Sequence, residues 1–219
     1  MQPTFTIIAP VFNELDNLPI LYRRVKEVMD RTGEPWELVL IDDGSRDGST
    51  DAIRKMAMED ERVRPVIFAR NFGHQIALSA GIDRADGDVL VMMDSDLQHP
   101  PSIVPELVDR FERGCDVVYT VREDSPEVPV LKRLASRWFY RLINSISDTP
   151  INESAADFRL VSRRVVEVFQ KRIRERNQFL RGLVGWVGFP SGAVHFKVGH
   201  RPAGRTKYSV RRMVRFGVD

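Results

Sequence analysis

The chain alternates short apolar runs with amphipathic stretches. Thr4-Phe-Thr-Ile-Ile-Ala9, Trp36-Glu-Leu-Val-Leu-Ile41, Val63 to Phe68 and Asp88-Val-Leu-Val-Met-Met93 are rich in branched residues and bounded by turn formers, which predicts strands buried on both faces. Between them, Asp16 to about Arg31 carries Leu18, Leu21, Val25 and Val28 along one helical face. Ser49 or Thr50 caps a second helix through Glu59, and Gly73 to Arg84 makes a third. A fifth strand is predicted over Asp116-Val-Val-Tyr-Thr-Val121, and Asn177 to Lys197 predicts a helix followed by a short strand pair. Strands alternating with helices indicate an α/β domain, its mostly parallel central sheet covered by helices on both faces. Ligands of such sheets bind beyond the carboxyl ends of the strands, and three of these ends are chemically notable: Pro10-Val-Phe-Asn-Glu14, Asp42-Asp43 and Asp94-Ser-Asp96.

At 219 residues and 42% hydrophobic content, the chain is long enough for one well-buried domain. The single Cys115 excludes an intramolecular disulfide, and the opening Met1-Gln-Pro-Thr-Phe-Thr6 lacks the regions of a signal peptide, so a cytoplasmic setting is expected. No apolar stretch approaches the roughly 20 residues that cross a bilayer. The net charge of +2 hides an asymmetry. Residues 1–109 carry 11 Lys and Arg against 20 Asp and Glu, a balance of −9; residues 110–219 carry 22 against 11, a balance of +11. With no nucleic-acid module in view, the basic half points to an anionic membrane surface or a phosphate-bearing substrate rather than to nucleic acid.

The fourth strand runs into Asp94-Ser95-Asp96-Leu97-Gln98-His99-Pro100-Pro101. Two carboxylates one residue apart at a strand end can turn onto one hard cation, with Gln98 as a further oxygen ligand; Mg²⁺ or Mn²⁺ suits such a set, completing its shell with water and substrate phosphates. The same residues would also serve as an acidic turn capping the next helix. Dinucleotide binding of the Gly-x-Gly-x-x-Gly kind is excluded, because the turn after the first strand is Ala-Pro-Val-Phe-Asn-Glu; no Gly-Lys-Ser/Thr phosphate loop occurs either. Phosphates must then be neutralised by a cation and by basic side chains.

Ile-Ala-Pro-Val-Phe-Asn-Glu14, Val-Leu-Ile-Asp-Asp-Gly-Ser45 and Met-Asp-Ser-Asp-Leu-Gln-His-Pro-Pro101, in this order and spacing, resemble the nucleotide-sugar domain of family 2 glycosyltransferases. Arg70-Asn-Phe-Gly-His-Gln75, Ala156-Asp-Phe-Arg-Leu160 and Arg205-Thr-Lys-Tyr-Ser209 narrow the resemblance to polyprenyl-phosphate hexosyltransferases. The Gln-x-x-Arg-Trp motif of processive polysaccharide synthases is absent, which argues against chain elongation. The resemblance implies a GT-A-type catalytic domain over 1–200. The residues of 201–219 are expected to form a mobile acceptor loop and a basic amphipathic helix. Because bacterial members of that subgroup continue into transmembrane helices, the chain is expected to be either a naturally soluble form or, ahead of it, the catalytic part of a longer membrane-anchored protein.

The resemblance also assigns roles. Asp43 is implied to hydrogen-bond the base, with Pro10, Phe12 and Glu14 lining the nucleoside pocket. Asp94 is placed near the ribose or sugar and as a possible metal ligand, Asp96 as the direct ligand and Gln98 beside it. His99 is either a ligand or structural. Asp157 is implied to be the catalytic acid residue, a base candidate whose rival role is to hold sugar hydroxyls or pair with Arg159. Arg122, Arg205 and Lys207 are candidates for holding phosphates. The implied partners are a nucleoside-diphosphate sugar, UDP-glucose ahead of GDP-mannose, a polyprenyl phosphate and the cytoplasmic face of the membrane.

Two basic amphipathic stretches, Pro129 to Ile146 and Val210 to Val218, have the pattern of interfacial helices, and the Gly-, Trp- and Phe-rich segment 177–197 offers a subunit contact for a homo-oligomer. A phosphohydrolase using Asp94 and a silent nucleotide-sugar scaffold are the rival classes. The first would not need Asp43, and the second would not need the full set of acids.

Overall fold

A computed structural model describes residues 3–122, 155–174 and 180–196. In chain order the elements are β1 (Phe5–Val11), α1 (Leu18–Met29), β2 (Trp36–Asp42), α2 (Ser49–Glu59), β3 (Val63–Ile67), α3 (His74–Arg84), β4 (Val89–Met92), a 3-10 turn (Pro101–Ile103) and α4 (Val104–Glu112). They are followed by β5 (Val117–Arg122), β6 (Ala155–Ser162), α5 (Arg163–Lys171), α6 (Leu180–Trp186) and β7 (Ser191–Phe196). The strands form one seven-stranded sheet in the order β3-β2-β1-β4-β6-β5-β7. Within it β6 alone is antiparallel to its neighbours, so the sheet is mostly parallel, as the alternation of elements predicts.

Alternation of side chains along the buried strands divides the core into two layers. Ile7, Ala9 and Val11 of β1 pack with Leu18, Leu21, Val25 and Met29 of α1, Ile53 of α2 and Leu107 of α4. Ile8, on the other face, packs with Val39 and Ile41 of β2, Ala77, Leu78 and Ile82 of α3, and Val165, Val166 and Phe169 of α5. A strand apolar on both sides loses its period-2 signal and reads as a continuous run. Helix α1 starts at Leu18 rather than Asp16: the amides of Asn17 and Leu18 both donate to the Glu14 carbonyl, and Pro19 occupies the first turn, where its missing N–H costs nothing. Its buried stripe ends on Met29, with Val28 only partly buried.

One predicted element changes, and one strand lies where none was predicted. The strand pair expected before Lys197 is instead the single strand β7, which joins the sheet edge parallel to β5, and the segment Ala155–Ser162 becomes β6. The stretches Pro129–Ile146 and 201–219, with Arg205 and Lys207, lie outside the described residues. Among the described residues no helix is long and apolar enough to cross a membrane.

Helix α3 lies close to the sheet because Gly81 allows it. A Cβ there would sit 2.9 Å from the Cδ1 atoms of Ile41 and Ile8 and 3.1 Å from Ile8 Cβ. Gly81→Val therefore overpacks this layer and costs about 1–3 kcal/mol. The check is urea unfolding: the midpoint falls while the dependence on denaturant keeps its slope.

Candidate active site

The carboxyl ends of β2, β1 and β4 lie side by side, and backbone geometry fastens their loops together. After β1 the chain turns through Asn13 at φ 54°, a conformation Asn tolerates better than most residues. Its amide donates to Ser45 Oγ at 2.9 Å and its Oδ1 accepts from the Arg46 amide at 2.7 Å. The next amides continue the stitching, Glu14 to Ser49 Oγ at 3.1 Å and Leu15 to Asp47 Oδ2 at 3.1 Å. Phe12 and Glu14 are both half-buried, and Glu14 Oε2 accepts from Asn17 Nδ2 at 2.6 Å.

The two aspartates ending β2 do different things. Asp42, fully buried, accepts from the Ser45 amide and the Thr50 hydroxyl and so folds its own loop. Asp43, also buried, reaches beyond its own loop: its Oδ1 accepts from the Phe72 amide at 2.6 Å and its Oδ2 from the Gly73 amide at 3.0 Å, holding the loop that enters α3. Burial pushes the Asp43 carboxyl above the ordinary value, only partly countered by these two amides. Gly44 completes the junction. At φ +71° it takes the left-handed conformation, and a Cβ would lie 2.4 Å from the carbonyl carbon of Arg70.

At the end of β4, Ser95 turns inward and its hydroxyl donates to the Pro10 carbonyl at 2.7 Å, tying β4 to β1. Leu97 is buried in the core at φ 63°, an unfavourable conformation for a branched residue that packing enforces. The turn it makes lets the Gln98 amide donate to Asp96 Oδ1 at 3.0 Å, so Asp96 is half-buried and held from its own loop. Asp94 lies between two histidines. His99 is buried against Phe158 and Phe196, at ring-centroid distances of 5.4 and 5.7 Å; its Nδ1 is 3.1 Å from Asp94 Oδ2, a close contact rather than a well-formed hydrogen bond. Burial pushes the Asp94 carboxyl up, but the His99 and His74 imidazoles outweigh it and bring the group below the usual carboxylate value.

Strand β6 brings in the remaining acid. Because β6 runs antiparallel to β4 with Arg159 opposite Met92, the register carried two residues further sets Asp157 across from Asp94. The Asp157 side chain is 16% exposed, and Arg159 Nη2, almost fully buried, lies 3.3 Å from its Oδ1. His74 Nε2 stands 3.6 Å from Asp94 Oδ1 and 3.6 Å from Asp157 Oδ2. Arg122 closes β5 at this same edge, since β5 points the same way as β4. The structure thus gathers Pro10, Phe12, Glu14, Asp43, Asp94, Asp96, Gln98 and Asp157 along one edge, and adds His74, to which only its place in the Arg70–Gln75 motif pointed.

The donor set suits a divalent cation of low protein ligation. Among the described residues no group of three or more His, Cys, Asp or Glu converges on one point. Asp94 and Asp96 offer carboxylate oxygens and Gln98 an amide, which leaves most of a coordination shell to water and substrate phosphate. That division is the habit of Mg²⁺ and Mn²⁺.

Residues 6–169 match the model of the family described as Glycosyl transferase family 2. The chain belongs to glycosyltransferase family 2. It is 41% identical over 215 residues to the uncharacterized glycosyltransferase YkcC of Bacillus subtilis, covering 98% of this chain and 66% of that protein. It is also 41% identical over 204 residues to the prophage bactoprenol glucosyl transferase homolog of Escherichia coli, and 40% over 204 residues to the bactoprenol glucosyl transferase of Shigella phage SfV; each match covers 93% of this chain and 66% of the relative. The chain thus spans just under two thirds of these relatives. Among solved structures, it is similar to the mannosyltransferase PcManGT of Pyrobaculum calidifontis in complex with GDP-Man and Mn²⁺, at TM-score 0.61 and 18% identity over 94% of this chain and 59% of that one. Glucosyl-3-phosphoglycerate synthase of Mycobacterium tuberculosis, in complex with Mn²⁺ and UDP-Glc, gives TM-score 0.58 at 20% identity, covering 97% of this chain and 74% of that one. These likenesses bear out the GT-A fold expected from the sequence.

Proposed function

We propose that the protein transfers a hexose, glucose ahead of mannose, from a nucleoside-diphosphate sugar to a polyprenyl phosphate at the cytoplasmic face of the membrane. The observation that carries this reading is Asp157 facing Asp94 across the β4–β6 edge, in a chain about 40% identical to proteins named bactoprenol glucosyl transferase. In the proposed arrangement Pro10, Phe12 and Glu14 line the nucleoside pocket. Asp43 contacts the base through the lone pairs that the Phe72 and Gly73 amides leave unused.

The reaction is a displacement at the anomeric carbon. A phosphate-oxygen to carbon bond forms as the bond from that carbon to the nucleoside diphosphate breaks, and the configuration inverts. Asp96, with Gln98 and Asp94, would hold a Mg²⁺ or Mn²⁺ ion, which when bound stabilises the charge on the departing diphosphate. The acceptor is a phosphate monoester with a second pKa of about 6, largely an oxyanion at neutral pH, so positioning supplies more of the rate than proton removal. Asp157 takes up any remaining acceptor proton and orients the sugar; Arg122, Arg205 and Lys207 hold phosphates from the basic half of the chain. Association with an anionic membrane through the basic segments, and assembly as a homo-oligomer, belong to the same proposal.

The test is titration calorimetry with UDP-glucose and GDP-mannose in Mn²⁺, followed by transfer of labelled hexose to a short-chain polyprenyl phosphate. UDP-glucose is expected to bind more tightly, with label entering the lipid fraction only when acceptor is present. Tighter GDP-mannose binding overturns the donor assignment. Steady phosphate release without acceptor points to a phosphohydrolase, and binding without transfer to a scaffold.

A further inference from the structure

One imidazole lies between the two carboxylates that the proposed reaction uses. His74 Nε2 is equidistant, at 3.6 Å, from Asp94 Oδ1 and Asp157 Oδ2. Two carboxylates in register across a β4–β6 edge repel. The proposed reaction needs the Asp157 carboxylate held toward the sugar as well as toward Arg159. An N–H on His74 Nε2 is placed to do so, a small rotation short of hydrogen-bond distance to either acid.

The position of His74 is built from the backbone. Asp43 accepts from the amides of Phe72 and Gly73, the two residues before it, and Gly73 at φ 103° makes the turn that starts α3 on His74. The next side chain anchors the same turn from the other side, because Gln75 Oε1 accepts from the Leu180 amide of α6 at 3.2 Å. Three and four residues beyond His74, Ala77 and Leu78 are buried against the sheet. The imidazole therefore stands on a support fixed at Asp43, at α6 and in the core.

We infer that His74 is a positioning residue: lying between Asp94 and Asp157, its Nε2 sets the orientation of the Asp157 carboxylate, and Asp43 sets His74 through the Phe72-Gly73 backbone. This rests on the proposed transfer reaction. It also makes Asp43 a structural link between the nucleoside end of the site and its acceptor side, separated by one turn of chain.

The test uses His74→Ala, and His74→Gln, whose amide keeps an N–H near the position of Nε2. With donor and short-chain polyprenyl phosphate, His74→Ala is expected to lower kcat by about 10- to 100-fold, the scale of a misplaced catalytic group, with UDP affinity in Mn²⁺ close to wild type. His74→Gln recovers part of that loss. Adding His74→Ala to an Asp157→Asn protein lowers kcat little further, because the group it positions is already gone. Wild-type kcat in His74→Ala, an undiminished loss in the Asp157→Asn background, or a fall in UDP affinity matching that in kcat would each overturn the inference. A double-mutant cycle on the unfolding midpoint needs no substrate. There the change in midpoint on Asp157→Asn should be more favourable in the His74→Ala background than in the wild type, since the facing acids no longer share a donor; additive effects overturn the inference. If the wild-type protein transfers no hexose, the functional reading falls, and the unfolding cycle still decides the role of His74.

Discussion

Asp157→Asn is expected to lower kcat for hexose transfer by about a hundred- to ten-thousandfold while leaving UDP affinity in Mn²⁺ nearly unchanged. The separation follows from position. Asp157 arrives on β6, on the side of β4 away from β1 and β2, whereas the proposed nucleoside contacts lie at the ends of β1 and β2. Asparagine keeps the shape and leaves an oxygen to accept from Arg159 Nη2, so the buried guanidinium is not stranded and the fold should survive. What is lost is the charge that takes up a proton and steers the acceptor. Thermal unfolding checks the first half of this argument, and single-turnover transfer with saturating donor checks the second. Full activity in the variant removes Asp157 from the chemistry. A parallel loss of UDP affinity would instead assign it to the donor site.

The parts of the fold legible in the sequence are those whose burial is two-sided or strictly periodic. Strands β1, β2 and β4 are covered on both faces and so appear as nearly continuous apolar runs, interrupted within β1 and β2 by Thr6 and Glu37, and α1 shows its buried stripe at three- and four-residue spacing. Strand β6 escapes such reading. Its sequence, Ala-Ala-Asp-Phe-Arg-Leu-Val-Ser, places two charges inside an eight-residue element, and only tertiary pairing shows why they are tolerated: Asp157 and Arg159 neutralise one another, and Arg159 is 4% exposed. Strand β7 is hidden because a Gly-rich run beside a helix suggests a hairpin, whereas its hydrogen bonds go to β5, about 74 positions earlier in the register.

The site shows the same division. Asp43, Asp94 and Asp96 are visible because each ends or follows a recognisable strand. That Asp43 grips the loop before α3 depends on β2 and α3 meeting at the sheet edge, and no local spacing encodes it. His74 is further removed still, since its contacts join α3 to β4 and β6. The one available signal was its membership of the Arg70-Asn-Phe-Gly-His-Gln75 motif, which names a residue without naming what it touches.

Asp96→Asn tests the donor side of the same edge. Asp96 is half-buried, with Oδ1 accepting from the Gln98 amide, so its carboxylate is presented in a fixed direction by a turn that Leu97 secures at φ 63°. Asparagine can preserve that turn, because its own side-chain oxygen accepts from the same amide. It removes one anionic oxygen from a site that offers few, and hard divalent cations bind through such oxygens. UDP affinity measured in Mn²⁺ is therefore expected to fall about tenfold or more, a factor comparable to the loss of a metal-site partner, and to recover only in part as Mn²⁺ is raised. In the presence of chelator the variant and the wild type should bind UDP alike, because the nucleoside contacts on β1 and β2 are untouched. Calorimetric titration under both conditions separates the two terms. Metal-dependent UDP binding that is unaltered in Asp96→Asn would remove Asp96 as a ligand. A loss that persists in chelator would mean that the substitution had disturbed the turn itself, and not the affinity for the cation.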